Sequence, residues 1–232
     1  MSSRRASSPW PEDSGYDALM TDPALPADLV ASFRRFRSDR YPAERERYER
    51  LANEGQRPST MVVACSDSRS GPETVFDARP GELFIVRNVA ALVPVYAPDT
   101  GSHGASAALE FAVLALGISS IVVMGHGRCG GVAAAFNDAA PLTATDFIGT
   151  WVAGLRDLGA DMDPAVRADP ERRRRDLERR TVEQSLMNLR TFPWIRSREA
   201  AGGLVLSGCW FDIALGELWA LGPSGWAAVP EA

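Results

Sequence analysis

Three short runs, TMVVAC at 60, LFIVR at 83 and SSIVVMG at 119, constrain this chain more than anything else in it. Each is apolar without alternation, carries β-branched residues and is bounded by Gly, Pro or Ser, which marks strands rather than helices. A strand apolar on both faces needs cover on both, and that belongs to parallel sheets flanked by helices. Between the second and third runs, ASAALEFAVLALG has helical spacing and a closing Gly117, so it reads as a buried helix. GLVLSGCWFDIALGELWAL at 203 supplies one more core strand and a hairpin partner. The expected fold is α/β, a mostly parallel sheet of about four parallel strands plus an antiparallel edge strand, flanked by helices and joined by right-handed crossovers.

With 232 residues, 45% of them hydrophobic, there is material for one full core. Residues 1–25, rich in Ser, Pro and Asp, read as an arm that is flexible or docked onto a partner, and 26–232 as a single domain. An N-terminal helical arm is expected over 26–54, as two surface-lying helices divided at Pro42. Residues 141–197 read as charged helices. There ERRRRDLERR at 171 is interrupted by acids, so it fits a solvated or interface face better than a phosphate site.

A net charge of -5 argues against nucleic acid as a partner. No stretch is apolar for long enough to span a membrane, and the early arginine pair is not followed by the apolar segment of a secretory signal. Three cysteines, Cys65, Cys129 and Cys209, are too few for a disulfide framework and fit a reducing cytoplasm.

ACSDSRSG, at the end of the first apolar run, raises three possibilities for its cysteine: nucleophile, disulfide half or metal ligand. If the backbone stays extended there, Cys65, Asp67 and Arg69 share one side. MGHGRCGG at 124 sets His126 and Cys129 three apart on a glycine-rich turn leaving the third strand. Both clusters fall at carboxyl ends of strands, where open parallel sheets bind ligands. Two thiolates and an imidazole suit zinc, and three ligands leave a fourth position open for catalysis. A Cys-His nucleophilic pair would leave the second cysteine without a task, and the spacing differs from the CxxC of redox pairs.

CSDSR followed some sixty residues on by GHxxCGG resembles the β-class carbonic anhydrases, as do RNVA at 87 and the ALEFAV helix. The likeness runs from about Gln56 to Ala135 and continues more weakly through the C-terminal strand. It implies a homodimer with active sites at the interface, or a dimer of dimers. It also implies one zinc per subunit on Cys65, His126 and Cys129, with Asp67 and Arg69 as the catalytic dyad. The reaction implied is reversible hydration of carbon dioxide to bicarbonate by hydroxide generated on zinc. Arg69 would hold Asp67 off the metal through two parallel hydrogen bonds. Gln56, Phe84, Val89 and Gly130 match substrate-binding positions, Gln56 reaching the neighbouring subunit's pocket.

Three departures from the family's pattern stand out. Phe111 replaces a frequent Tyr. Val62, Arg87 and Phe211 stand where one subgroup places the Trp, Arg and Tyr of a noncatalytic bicarbonate site, so that site is not expected here. Ala91 replaces the usual Asn. His103, the other histidine, is either a proton shuttle or simply hydrogen-bonded at a helix start, and the second is favoured. Hydrolysis of carbonyl sulfide or carbon disulfide and a noncatalytic zinc protein are the alternative functions.

Overall fold

The computed structural model describes residues 25–136 and 140–230, so the expected arm lies outside them apart from its last residue. The chain divides into two compact units, residues 1–54 and 55–232. In the first, Ala27–Arg35, a π-helical turn at Phe36–Arg40 and Tyr41–Glu54 follow one another without a break, and none of their residues is buried. Pro42 therefore does not divide two helices. The Tyr41 N–H donates to the Phe36 carbonyl, one residue further back than in an α-helix. That wider turn gives the proline ring room where an α-helix would press a carbonyl against it. Phe36 meets Tyr41 and Tyr48 edge-to-face, and the two tyrosines are tilted against each other, with ring centroids 5.5 to 6.1 Å apart.

The second unit is built on a six-stranded sheet: β1 (Thr60–Cys65), β2 (Leu83–Asn88), β3 (Ser120–His126), β4 (Val205–Asp212), β5 (Glu217–Gly222) and β6 (Gly225–Ala228). Their order is β2-β1-β3-β4-β5-β6, the first four parallel and the last two antiparallel. The expected antiparallel partner of the C-terminal strand is present as β5, and β6 pairs antiparallel with β5 to form the edge in its place. From β1 the chain steps outward to β2, then returns past β1 to β3. The strand order thus reverses between β1 and β3, which opens a crevice at their carboxyl ends. Cys65 ends one of these strands and His126 the other.

Both faces of β1 are covered, as its unbroken apolar run requires. Met61 and Val63 join a core with Val123 of β3 and with Leu109, Leu189 and Ile195, drawn from the helices Gly104–Glu110, Pro170–Leu189 and Pro193–Ala200. Val62 and Ala64 point the other way and pack with Met124 and Cys209. The expected buried helix before β3 is buried on one side only: Leu109, Ala112 and Val113 are covered, while Phe111 and Leu114 are 50% and 57% exposed. It passes through a π-helical turn, Phe111–Ala115, and closes at Gly117 with φ +67.

The arginine run behaves as its flanking acids imply. Arg172 pairs with Asp169 and Arg174 with Glu171 on an exposed face of the Pro170–Leu189 helix. Arg179, one turn further on, turns inward beneath three indoles, with Trp210, Trp219 and Trp226 at 4.9, 4.4 and 5.4 Å. Cation–π attraction there fastens β4, β5 and β6 to the helix.

Candidate metal centre and substrate cleft

Cys65, His126 and Cys129 are each at most 5% exposed, and their ligand atoms lie within 4.8 Å of one another. The two Sγ atoms are 3.9 Å apart. A disulfide needs about 2.05 Å, whereas two thiolates about 2.3 Å from one tetrahedral zinc sit about 3.8 Å apart. The His126 Nδ1–H donates to the Gly127 carbonyl at 2.9 Å, which leaves Nε2 as the acceptor nitrogen. That Nε2 is buried and has no hydrogen-bond partner. An orphaned imidazole nitrogen facing two thiols at zinc-compatible spacing is a donor set that a metal ion completes.

Electrostatics point the same way. Interaction with Cys129 draws the Cys65 thiol down to about 4, against burial and helped by His126. Cys129 is held well above the ordinary thiol range by Cys65 beside it and by burial. Without metal the pair therefore keeps one proton at neutral pH. Cys209 is not part of the cluster, and burial among apolar neighbours raises its thiol to about 12.

The backbone does not stay extended after Cys65. The Ser70 N–H donates to the Asp67 carbonyl at 3.2 Å, so a turn, not strand alternation, brings Asp67 and Arg69 together. Within it Asp67 Oδ1 accepts from the Arg69 backbone N–H at 3.0 Å and from Nε at 2.9 Å, while Oδ2 accepts from Nη2 at 2.7 Å. These bonds hold the Asp67 carboxyl far below the usual carboxylate range, against its partial burial. Asp67 Oδ2 lies 4.0 Å from His126 Nε2, close to the cluster yet engaged elsewhere. Arg87 secures the turn from below, donating to the Cys65 carbonyl at 2.8 Å and the Asp67 carbonyl at 2.6 Å.

Val89 and Gly130 line one cleft of about 870 Å³ together with Gly131, Ile148 and Arg156. Phe84 is half-buried instead, its ring 5.9 Å from that of Phe111. Gln56 is exposed. Trp151 Nε1 donates to the Val89 carbonyl at 2.8 Å, and the Asn88 side chain brackets the loop through two 2.8 Å bonds to the Leu92 backbone. Between those clamps Ala90 and Ala91 have φ +69 and +54. Asn tolerates that left-handed region better than Ala, so Ala91 holds a backbone conformation that its own side chain disfavours. His103 Nε2 pairs with Asp99 Oδ1 at 2.6 Å in an exposed loop at a helix start.

Sequence reasoning missed Glu178, which is buried and accepts from the Cys129 backbone N–H at 3.1 Å and from Trp210 Nε1 at 3.2 Å. The signal was present. Leu177, Thr181, Val182, Ser185, Leu186 and Leu189 mark a buried stripe at helical spacing, and Glu178 falls on it.

Comparison with known proteins agrees with this geometry. The carbonic anhydrase family model matches residues 60–218. A carbonic anhydrase of Pseudomonas aeruginosa is 37% identical over 194 residues, covering 84% of this chain and 86% of that protein. Beta carbonic anhydrase 5, chloroplastic, of Arabidopsis thaliana is 34% identical over 80% of this chain, which spans 61% of its length. The solved β-carbonic anhydrase CcaA superimposes with a TM-score of 0.76 at 27% identity, covering 88% of this chain and 92% of that one. Two tetrameric β-carbonic anhydrases of Sordaria macrospora are represented by a match with a TM-score of 0.67 at 27% identity, covering 93% and 98%. The motif-bearing strand ends, the crevice between β1 and β3 and these likenesses together show that the chain belongs to the β-class carbonic anhydrases.

Proposed function

We propose that this enzyme is a zinc-dependent carbonic anhydrase that interconverts carbon dioxide and water with bicarbonate and a proton. The observation that carries the reading is the buried Cys65–His126–Cys129 triad with its orphaned Nε2, beside an aspartate that Arg69 holds aside. Bound by those three residues, zinc would supply the Lewis acidity that turns water into a nucleophile. Asp67 is kept ionised by Arg69, accepts a hydrogen bond from the attacking water and so aims its lone pair at the carbon. Val89 and Gly130, which line the cleft, and Phe84 are the side of the pocket against which carbon dioxide rests.

Gln56 donates a hydrogen bond into the pocket of a second copy, so the active unit is a homodimer; the similar Sordaria macrospora enzymes are tetrameric, which supports a dimer of dimers. Arg87 is already engaged with two carbonyls of the Asp67 turn, and Val62 and Phe211 offer no polar partner of the Trp and Tyr kind. This supports an enzyme without the noncatalytic bicarbonate site, whose resting state keeps Asp67 away from the metal. Three free cysteines, and no helix among the described residues long and apolar enough to cross a membrane, support a cytoplasmic setting.

Zinc content measured with carbon dioxide hydration from pH 6.5 to 9 tests the proposal. The expected result is one zinc per subunit and turnover that rises toward alkaline pH, because two anionic sulfurs donate more charge than imidazoles and keep the water's pKa high. Faster turnover of carbonyl sulfide than of carbon dioxide would assign the other substrate class, and zinc without either activity would make the protein a noncatalytic binder.

A further inference from the structure

Glu178 is the one buried acidic side chain among the described residues, 2% exposed, and the proposed reaction gives it no task. It lies on the Pro170–Leu189 helix, yet its Oε1 accepts the backbone N–H of Cys129 and its Oε2 the indole N–H of Trp210. Arg174 Nε stands 3.7 Å away, near enough to balance the charge. We propose that Glu178 is a positioning residue for the Cys129 ligand, fixing the Gly127–Cys129 turn so that Sγ faces Cys65 and His126.

The turn needs outside support. Arg128 has φ +58, a conformation that disfavours any side chain with a Cβ. Both ends of the turn are anchored to other elements: the Gly127 N–H donates to the Phe211 carbonyl on β4 at 2.8 Å, and the Cys129 N–H to Glu178 at 3.1 Å. A carboxylate is the side chain this place requires. Two N–H donors converge on it, and an ionised carboxylate only accepts, whereas a Gln amide would turn its NH₂ toward one of them. Groups one shell out from a metal commonly set the orientation of its ligands, and their loss weakens binding about 10- to 100-fold.

The proposal rests on the ligand assignment above, and the test separates the two. Zinc alone is the probe, its affinity read by competition with a chromophoric chelator, alongside thermal melting of the full chain. Glu178→Gln is expected to bind zinc about tenfold more weakly or worse. Trp210→Phe removes the other donor on the same carboxylate but leaves the Cys129 bond, so it is expected to melt earlier while its zinc affinity stays within about threefold of wild type. Should Glu178→Gln fail to fold, Glu178→Asp, which keeps the charge but is too short to hold both donors, takes its place in the comparison with the same expected direction. Equal weakening by the Glu178 and Trp210 variants, or unchanged affinity without the Glu178 carboxylate, overturns the proposal while leaving the ligand assignment intact. A wild-type protein that binds no zinc overturns both.

Discussion

Gly131→Ala is the substitution whose outcome the structure specifies most closely. A Cβ placed at Gly131 lies 2.4 Å from Val89 Cγ1 and 3.1 Å from both Cβ and N of Ala90. Non-bonded carbons settle about 3.5–4.0 Å apart, so Val89 has to retreat by about 1–1.5 Å. Rotating Val89 relieves the first contact only. The Ala90 nitrogen is backbone, in a left-handed residue lying between the Asn88 bracket and the Trp151 bond to the Val89 carbonyl. Overpacking of this kind costs about 1–3 kcal/mol, which for a chain of this size is a fall in Tm of roughly 2–12 °C. Gly130→Ala is the control, because nothing lies within 4 Å of its added methyl, which enters the cleft. Its stability is expected to stay within about 0.5 kcal/mol of wild type.

The assay is thermal melting of wild type, Gly131→Ala, Gly130→Ala, Val89→Ala and the Gly131→Ala/Val89→Ala double variant, with carbon dioxide hydration measured on each. Contacting residues couple, so the double variant should recover part of the loss, the part due to Val89. Displacing a pocket wall by about 1 Å can cost up to about 100-fold in rate, so Gly131→Ala should also be the slower enzyme. A Gly131→Ala variant that melts with wild type would falsify the packing argument, and one that also turns over normally would remove Val89 from the pocket wall.

Two further outcomes follow from the site's charges. Arg69→Ala is expected to keep its zinc by metal analysis and lose most hydration activity, because Asp67 is then free to approach the metal; full activity with full zinc would refute the dyad. Zinc affinity in chelator competition is expected to rise about tenfold per pH unit near pH 8, since the metal then displaces the one proton that the Cys65–Cys129 pair retains. Below that range the slope should steepen. Burial works against charging His126, but the Cys65 thiolate beside it raises its pKa overall, so a second proton has to leave at lower pH. A flat profile would mean that the cysteines are not the ligands.

The parallel core was legible because β1 is buried on both faces and β3 nearly so, which forces continuous apolar runs into the sequence. The Cys65–His126–Cys129 cluster was legible for a related reason: Cys65 and His126 close such runs where strands must end, and a second cysteine stands three residues past His126 on a glycine-rich turn. What failed to show was anything decided by backbone shape or by distant partners. Extended geometry past Cys65 was the simplest assumption, but Asp67 also bonds the Arg69 backbone N–H, and that local competition turns the chain. Pro42 looked like a break because propensity takes no account of a π-helical turn. Glu178 sat among so many exposed charges that its place on a buried stripe was easy to overlook, and nothing in its own neighbourhood names Cys129, forty-nine residues earlier. Ala91 gained its physical meaning only once φ was known.

The brace behind Cys129 also carries a schedule. Cys65, His126 and Cys129 are all made before residue 130, whereas Glu178 follows 49 residues after Cys129 and Trp210 81 residues after it. At a ribosomal pace of about 5–20 residues per second, roughly 4–16 s separate Cys129 from the indole that helps hold the brace. β4, whose Phe211 carbonyl anchors the turn's other end, arrives in the same late interval. On the proposed ligand assignment, metal captured by the growing chain is held by a loop that has the early Arg69 bond to the Arg128 carbonyl but still lacks its Glu178 and Phe211 anchors, so the tight site belongs to the finished sheet and not to the motif that announces it.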